Sequence, residues 1–397
     1  MIMRIEVTDK KLIIHLEGRI DSNNVADVEK EVLDSIAANK GLDLIMDADI
    51  LEYISSAGLR MLMKVRKNIK RPYPIINVSR DVYEIFDMTG FTQLLDVNKK
   101  IREISVEDCE IVGKGGNGTV YRLDEDKIVK LYHGQSMDLV QREQEFSRIA
   151  FINGIPSVIP YDVVKCGDDY GVVFEMVHSD TLGHAIAAHP EKMMEYVDQW
   201  VELARILHST HIEPGNMPNV KDHMRRNAKN LGRWCSDEEI KALLDIIDSI
   251  PDCDTVLHND LHPGNVMIQG DELVLIDLAE MSTGPKVFDL ASIFRDMISG
   301  ARTNPELSEM TVGMPVDMIE QVGSVFFSKY TGITDPAALK EYFDRLGLIY
   351  GLNVVLLCGA GIGETEKYAA GIMDRLLRPV VLPNAAAIPQ LIAALSQ

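Results

Sequence analysis

Residues 113–118 read GKGGNG, and the residues directly after this stretch decide what the chain can fold into. A Gly-rich turn that opens a helix belongs to a dinucleotide-binding sheet. Here the next stretch, TVYRLDEDKIVKLY, alternates, is rich in β-branched residues and turns at DEDK. That pattern predicts a β-hairpin. Gly113, Gly115, Gly116 and Gly118 allow backbone N–H groups to approach a triphosphate without Cβ clashes. Val120 continues the same nucleotide-covering surface, and Lys130 sits on the returning strand, within reach of the α- and β-phosphates.

A lysine in that position needs a carboxylate to hold it. The next predicted helix, MDLVQREQEFSRIAFI, offers Glu145 as first choice and Glu143 as second. YGVVFEMV then reads as a buried strand leading into a connector, where backbone groups from Glu175 to Val177 can meet an adenine edge. The stretch HNDLHPGNVMI (258–268) crowds Asp260, His262 and Asn265 ahead of an apolar strand. A turn would account for Pro263 and Gly264 alone. Phosphoryl transfer needs positioning, charge neutralisation and a proton acceptor, and little covalent help. Asp260 suits the acceptor of a hydroxyl proton, and Asn265, five residues on, suits a Mg²⁺ ligand. After QGDE and a second strand, LVLID, Asp277 stands where a second metal-binding carboxylate belongs. Asp289 in VFDLASIF is expected to brace the loop, and His258 to pack beneath it.

These residues resemble the kinase-like phosphotransferases, specifically the aminoglycoside phosphotransferase and choline kinase branch, over about residues 108–397. The resemblance implies an α+β bilobal protein-kinase-like domain, with a β-rich N-lobe over about 108–178 and a helical C-lobe over about 179–397. It implies ATP and Mg²⁺ as cofactors, and a hydroxyl acceptor. Asn259 replaces the Arg of the protein-kinase catalytic loop, DLAE stands in place of Asp-Phe-Gly, and no Ala-Pro-Glu segment comes after it. Asp277 and Asp289 lie too close for a long activation loop, which favours a small-molecule acceptor. His262 takes the place of a phosphate-steering Lys. The segment from about 212 to 250 falls where insertions shape the acceptor pocket in this branch. Its basic cluster, KDHMRRNAKNLGR, is either a solvated helix face or a recogniser of an anionic acceptor.

Residues 1–97 alternate strand and helix patterns. KLIIHLEG turns Leu12, Ile14 and Leu16 inward, and NNVADVEKEVLDSIAA spaces Val25, Val28, Val32 and Ile36 on one helical face. The pattern implies an α/β sheet covered by helices. LEYISSAGLRMLMKVRK, with LEGRIDSNN before it and FDMTGFTQLLDV after it, resembles the STAS domain of anti-sigma factor antagonists over about residues 3–97. That resemblance implies a serine phosphorylated by a partner kinase at the helix start. Ser56 matches that position, with Ser55 in place of the common Asp, and Asp21 is expected nearby. A phosphate at a helix N-terminus is favoured by the dipole and the free N–H groups. Residues 98–107 read as a linker, and ten extended residues reach roughly 30 Å.

A formal charge of −21 argues against general nucleic-acid binding. Five scattered cysteines with no CxxC pair fit free thiols in a reducing compartment. MIMRIEVTDKK carries charges where a signal peptide is apolar, and LIYGLNVVLLCGAGIG is short and Gly-broken for a bilayer span, so it reads as a buried helix. The expectation is a cytoplasmic phosphotransferase with an N-terminal STAS regulatory module and an anti-sigma-type partner. Two alternatives are a signalling scaffold whose kinase-like part senses nucleotide, and a kinase that phosphorylates its own Ser56.

Overall fold

The computed structural model describes residues 3–8, 10–115, 118–360 and 365–396. The chain divides into two compact units, Met1–Ile104 and Ser105–Gln397.

The first unit is a five-stranded sheet whose spatial order follows the chain: β1 (Met3–Val7), β2 (Lys11–Ile20), β3 (Asp43–Ile54), β4 (Pro74–Val78) and β5 (Asp96–Lys99). β1 and β2 form an antiparallel hairpin, and the remaining neighbours are parallel. Parallel neighbours need crossovers, here supplied by α1 (Val25–Ala38), α2 (Ser56–Ile69) and α3 (Arg80–Met88). The predicted alternation holds: Leu12, Ile14 and Leu16 are buried, and in register Leu12 lies opposite Leu44 and Ile14 opposite Met46. Val28 and Val32 of α1 and Leu59, Leu62 and Val65 of α2 close over the same core. The last strand takes Asp96–Lys99, and β6 (Arg102–Glu103) is a two-residue strand in the stretch expected to be linker.

In the second unit β7 (Ile111–Gly115), β8 (Gly118–Arg122), β9 (Lys127–Tyr132), β10 (Pro160–Cys166) and β11 (Asp169–Glu175) lie side by side in the order β10-β11-β9-β8-β7, each antiparallel to its neighbour. The Gly-rich stretch thus opens a hairpin, and α4 (Met137–Ile152) comes after β9. Beyond β11 the chain is mainly helical: α5 (Leu182–Ala188), α6 (Met193–Ser209), α7 (Val220–Lys229), α8 (Asp237–Asp248), α9 (Val287–Phe294), α10 (Gly300–Thr303), α11 (Pro305–Val312), α12 (Val316–Thr331), α13 (Pro336–Leu357), α14 (Thr365–Ile372) and α15 (Ile388–Leu395). Val197, Val201, Ala204 and Leu207 of α6 are buried as spaced, whereas Met194, in its first turn, is exposed. Ser236 and Glu239 form the expected capping box on α8. Four short strands interrupt the helices: β12 (Val256–Leu257), β13 (Val266–Gln269), β14 (Glu272–Leu275) and β15 (Ser282–Thr283). The apolar run near residue 350 belongs to a longer helix than expected. Pro336–Ala360 is long and apolar enough by length and composition to cross a membrane, and in this fold Leu346, Ile349, Leu352 and Val355 of α13 are buried in the helical core.

At the start of α2 two serines divide the labour. Ser55 is the N-cap, and its side chain accepts from the Gly58 N–H at 3.3 Å. Ser56, the first helical residue, is exposed. The Ser55 N–H donates to the Ile20 carbonyl at 2.9 Å, which brings the helix start beside Asp21. Ser55→Ala is therefore expected to cost about 1 kcal/mol in protection of α2 amides by hydrogen exchange on the full chain. Ser56→Ala should stay within about 0.5 kcal/mol of the parent.

Candidate active site

Lys130 lies mid-sheet, with Val120 of β8 and Val172 of β11 opposite it on either side. Its Nζ is 3.0 Å from Glu143 Oε1 on α4 and 2.9 Å from Asp277 Oδ1 beyond β14. Glu143, 1% exposed, also accepts from the Tyr132 hydroxyl. Glu145, the first choice from sequence, does not reach the lysine: it is half exposed and pairs with Arg148. Helix geometry explains the correction. Glu143 shares the buried face with Val140, Phe146 and Ser147, and Glu145 is two residues away, about 200° around the axis. Burial acts to lower the Lys130 pKa, but the charges and hydrogen bonds of Glu143 and Asp277 outweigh it and leave the pKa raised. Lys130 is held as an ammonium.

Two nested antiparallel pairs bring the next groups together. β12 pairs with β15, and β13 pairs with β14. The loop 258–265 joins β12 to β13, and the loop 276–281 joins β14 to β15, so the two loops run side by side. The Ile276 N–H donates to the Asn265 carbonyl at 3.0 Å, and Asn259 donates its amide to the Glu280 carbonyl at 2.6 Å and to Ser282 Oγ at 2.9 Å. Asn259, the departure from the protein-kinase pattern, is therefore a strut between the loops. Asn259 and Asp277 both adopt positive φ, 67° and 61°. Non-Gly residues rarely do so outside sites that constrain them. Gly264 is sterically required, because a Cβ there would lie 2.2 Å from the Thr311 carbonyl oxygen.

Asp289, fully buried on α9, accepts from the backbone N–H groups of His258 at 2.9 Å and Asn259 at 2.6 Å, and its Oδ2 lies 3.1 Å from His208 Nε2. His258, also buried, has Nε2 3.0 Å from the Ile276 carbonyl, and its Nδ1 accepts from the Asp260 N–H at 3.3 Å. Asp260 is thereby aimed by groups that are themselves held. Its side chain is 40% exposed. Its Oδ2 accepts from the Asn265 amide at 3.0 Å and lies 3.4 Å from His262 Nε2, and its Oδ1 accepts from Arg295. Burial acts to raise the Asp260 pKa, yet the hydrogen bond from His262 and the charges of His262, Arg295 and His258 hold the carboxyl well below the usual carboxylate range.

Arg295 and Asp296 were not singled out from sequence. Arg295 opens a π-helical turn, Arg295–Ser299, directly after α9, and its guanidinium also grips Asp296 at 2.7 and 2.8 Å. π-turns are frequent at functional sites, but nothing local in FRDMIS marks one. Asp260, His262 and Asp296 lie close enough to suggest a cation site. The Arg295 guanidinium already supplies that charge.

The residues expected from sequence to face a nucleotide divide in two. A Cβ on Gly118 would lie 2.0 Å from the Leu131 carbonyl oxygen, so the sheet itself requires that glycine. Gly113 would meet only ordinary contacts from Val120, and Gly115 has nothing within 4 Å, which leaves room for a ligand against the backbone. Gly116 lies outside the described residues. The Glu175 N–H is committed to the Ile159 carbonyl and the Met176 N–H to the Asp126 carbonyl, so Val177, buried at the connector, is the remaining N–H of the three for an adenine edge. Asn265 spends its amide N–H groups on Asp260, leaving its oxygen as an acceptor. That oxygen and the Asp277 carboxylate are hard oxygen donors of the kind Mg²⁺ takes.

Comparison with known proteins agrees with this architecture. Residues 108–312 match the family model described as the phosphotransferase enzyme family, and residues 3–104 match the STAS domain. A methylthioribose kinase of Geobacillus kaustophilus is 26% identical over 132 residues. That match takes in 33% of this chain and 32% of the kinase, so the chain spans about a third of the length of that relative. BtrV of Bordetella bronchiseptica, described as a putative anti-sigma factor antagonist, is 30% identical over 101 residues, 24% of this chain and 85% of BtrV. Among solved structures, the gentamicin complex of APH(2'')-IIa has a TM-score of 0.47 at 15% identity, covering 75% of this chain and 97% of that one. A choline/ethanolamine kinase family protein from Mesorhizobium loti has a TM-score of 0.45 at 15% identity, covering 71% and 92%. The chain belongs to the phosphotransferase enzyme family, its kinase-like fold preceded by a STAS domain of the anti-sigma factor antagonist kind.

Proposed function

We propose that the chain is an ATP- and Mg²⁺-dependent kinase that transfers a γ-phosphoryl group to the hydroxyl of a small molecule, under the control of its STAS domain. The observation that carries this reading is the single ammonium of Lys130 held by both Glu143 and Asp277. That contact joins the nucleotide-covering sheet to the loop beside Asp260. In the proposed reaction Lys130 steadies the α- and β-phosphates, the backbone at Gly113 and Gly115 lies along the triphosphate, and the Val177 N–H meets the adenine. Asn265 and Asp277 would hold Mg²⁺, which neutralises charge on the phosphates when bound. Asp260 orients the acceptor hydroxyl. As the new O–P bond forms and the bond to the leaving ADP breaks, Asp260 takes the proton. With its pKa held low, Asp260 positions more than it pulls, which suits a transfer in which proton abstraction comes late.

On the STAS domain, Ser56 is the proposed phosphoacceptor. Its exposure beside a helix whose cap is already supplied by Ser55 lets a phosphate change the docking surface without replacing a structural bond. Incubating the purified chain with Mg²⁺ and γ-labelled ATP, then mapping the label, tests both parts. Turnover with an added metabolite and no protein label supports the small-molecule kinase. Label on Ser56 assigns the chain its own regulatory domain as acceptor, and an absence of nucleotide binding would overturn the kinase reading.

Asp260→Asn should lower turnover by about 10²-fold or more while leaving ATP binding in place. Glu143→Gln should raise the KM for ATP by about tenfold or more, the worth of a charge-assisted hydrogen bond, and Glu145→Gln should leave it unchanged. His262→Gln removes a group that keeps Asp260 ionised, so the acid limb of the kcat/KM profile should move to higher pH.

A further inference from the structure

A cavity of about 310 Å³ opens beside the catalytic loop. Asn259, Glu280 and Arg295 line one side of it, and Arg295 in turn contacts Asp260. α7 contributes His223, Arg226 and Asn227, Asn230 at its C-cap extends the same stripe, and Arg142 of α4 completes the polar wall. Met224, Phe288, Tyr350 and Leu356 give it an apolar side. The volume sits at the lower end of ligand sites, which fits a small metabolite.

The charges of this wall do not cancel. Three arginines and a histidine face it, and Glu280 is the sole carboxylate among the lining residues. Arg295 is already engaged by Asp260 and Asp296. Among the described residues the Arg142 and Arg226 side chains make no ion pair within 4 Å and no hydrogen bond. Elsewhere on α7, Arg225 pairs with Asp222 and Asp248, and Lys221 with Asp252. Carboxylates are plentiful in a chain with 61 acidic and 40 basic residues, yet at this opening Arg142 and Arg226 share the field of one carboxylate, Glu280, with no ion pair closed to it. The His223 pKa is lowered, first by burial and then by Arg226 and Arg142, which shows how closely the cations converge.

Given the phosphotransferase reading on which this rests, we propose that the acceptor is a small hydroxyl-bearing anion, its carboxylate or phosphate gripped by Arg226 and Arg142 and its hydroxyl presented to Asp260. The basic cluster of α7 thereby has two faces: one paired within the protein, the other recognising substrate. A planar guanidinium matches either oxyanion in a bidentate manner, so the shared chemistry is the oxyanion.

The test uses three probes with one carbon skeleton: ribose, ribonate and ribose 5-phosphate, with the cationic aminoglycoside kanamycin as a fourth. Thermal protection of the full chain by each, at millimolar concentration, is read with and without Mg-ADP, and ADP release is read with Mg-ATP. Protection by ribonate or ribose 5-phosphate and not by ribose supports the proposal, and the pair separates a carboxylate from a phosphate source. Arg226→Gln should weaken that protection, or raise the acceptor KM, by about tenfold or more, with the KM for ATP unchanged. Arg225→Gln, one residue away and already paired with carboxylates, is the control and should behave as the parent. Preference for ribose or kanamycin, failure of both anions to protect, or a rise in the ATP KM in Arg226→Gln would each overturn the proposal. Protection by an anion without any nucleotide binding would sink the kinase reading while leaving the anion site standing.

Discussion

One part-buried ammonium organises the second unit. Lys130 is bonded to Glu143, 13 residues away in sequence, and to Asp277, 147 residues away. Removing one partner of a buried ion pair typically costs about 3–5 kcal/mol, because the other charge stays buried without compensation. The second carboxylate changes that arithmetic, since the lysine never depends on one counterion alone. The sheet strand, the helix behind it and the loop after β14 are therefore tied at one atom. In the proposed reaction the same atom steadies the phosphates, so the geometry of the fold and of the proposed chemistry share a constraint.

The loop 258–265 that carries Asp260 is held in a second way, by backbone rather than charge. Asp289 accepts two successive N–H groups, His258 caps the Asp260 N–H, and Asn259 crosses to the neighbouring loop. Each bond is modest, about 0.5–1.5 kcal/mol net, or more where a carboxylate accepts. Together they sustain the positive φ of Asn259 and Asp277, conformations that cost of order 1–3 kcal/mol each. The strain is local and its support is distributed, which keeps the Asp260 carboxylate in place with 40% of its side chain still open to solvent.

In the STAS domain the division between Ser55 and Ser56 obeys a similar logic. Where one side chain is fully used in capping a helix, its neighbour is free to carry chemistry. On α7 the division is between two faces of one helix, Lys221 and Arg225 satisfied within the protein, His223 and Arg226 turned to the cavity. In both places proximity in sequence hides a difference in role that emerges only when hydrogen-bond partners are counted.

The order of the motifs was legible at once. The alternation after GKGGNG excluded a helix and placed Lys130 on a strand, and the spacing of Asp260, Asn265 and Asp277 around two short strands implied adjacent loops. The STAS pattern was equally plain, because period-two and period-3.6 burial are written directly into apolar spacing. Glu143 was harder, since it lies two positions from Glu145 and only the orientation of α4 against the sheet separates them. Arg295 left no trace, because its meeting with Asp260 depends on a π-turn and on packing of α9, not on spacing. The sequence by itself thus determined the two domains, the strand-and-loop framework and the set of acids available, since these arise from local periodicity and turn chemistry. Tertiary structure alone decided which carboxylate meets Lys130, which cation holds Asp260 and which arginines face the cavity, because those outcomes depend on distances between segments far apart in the chain.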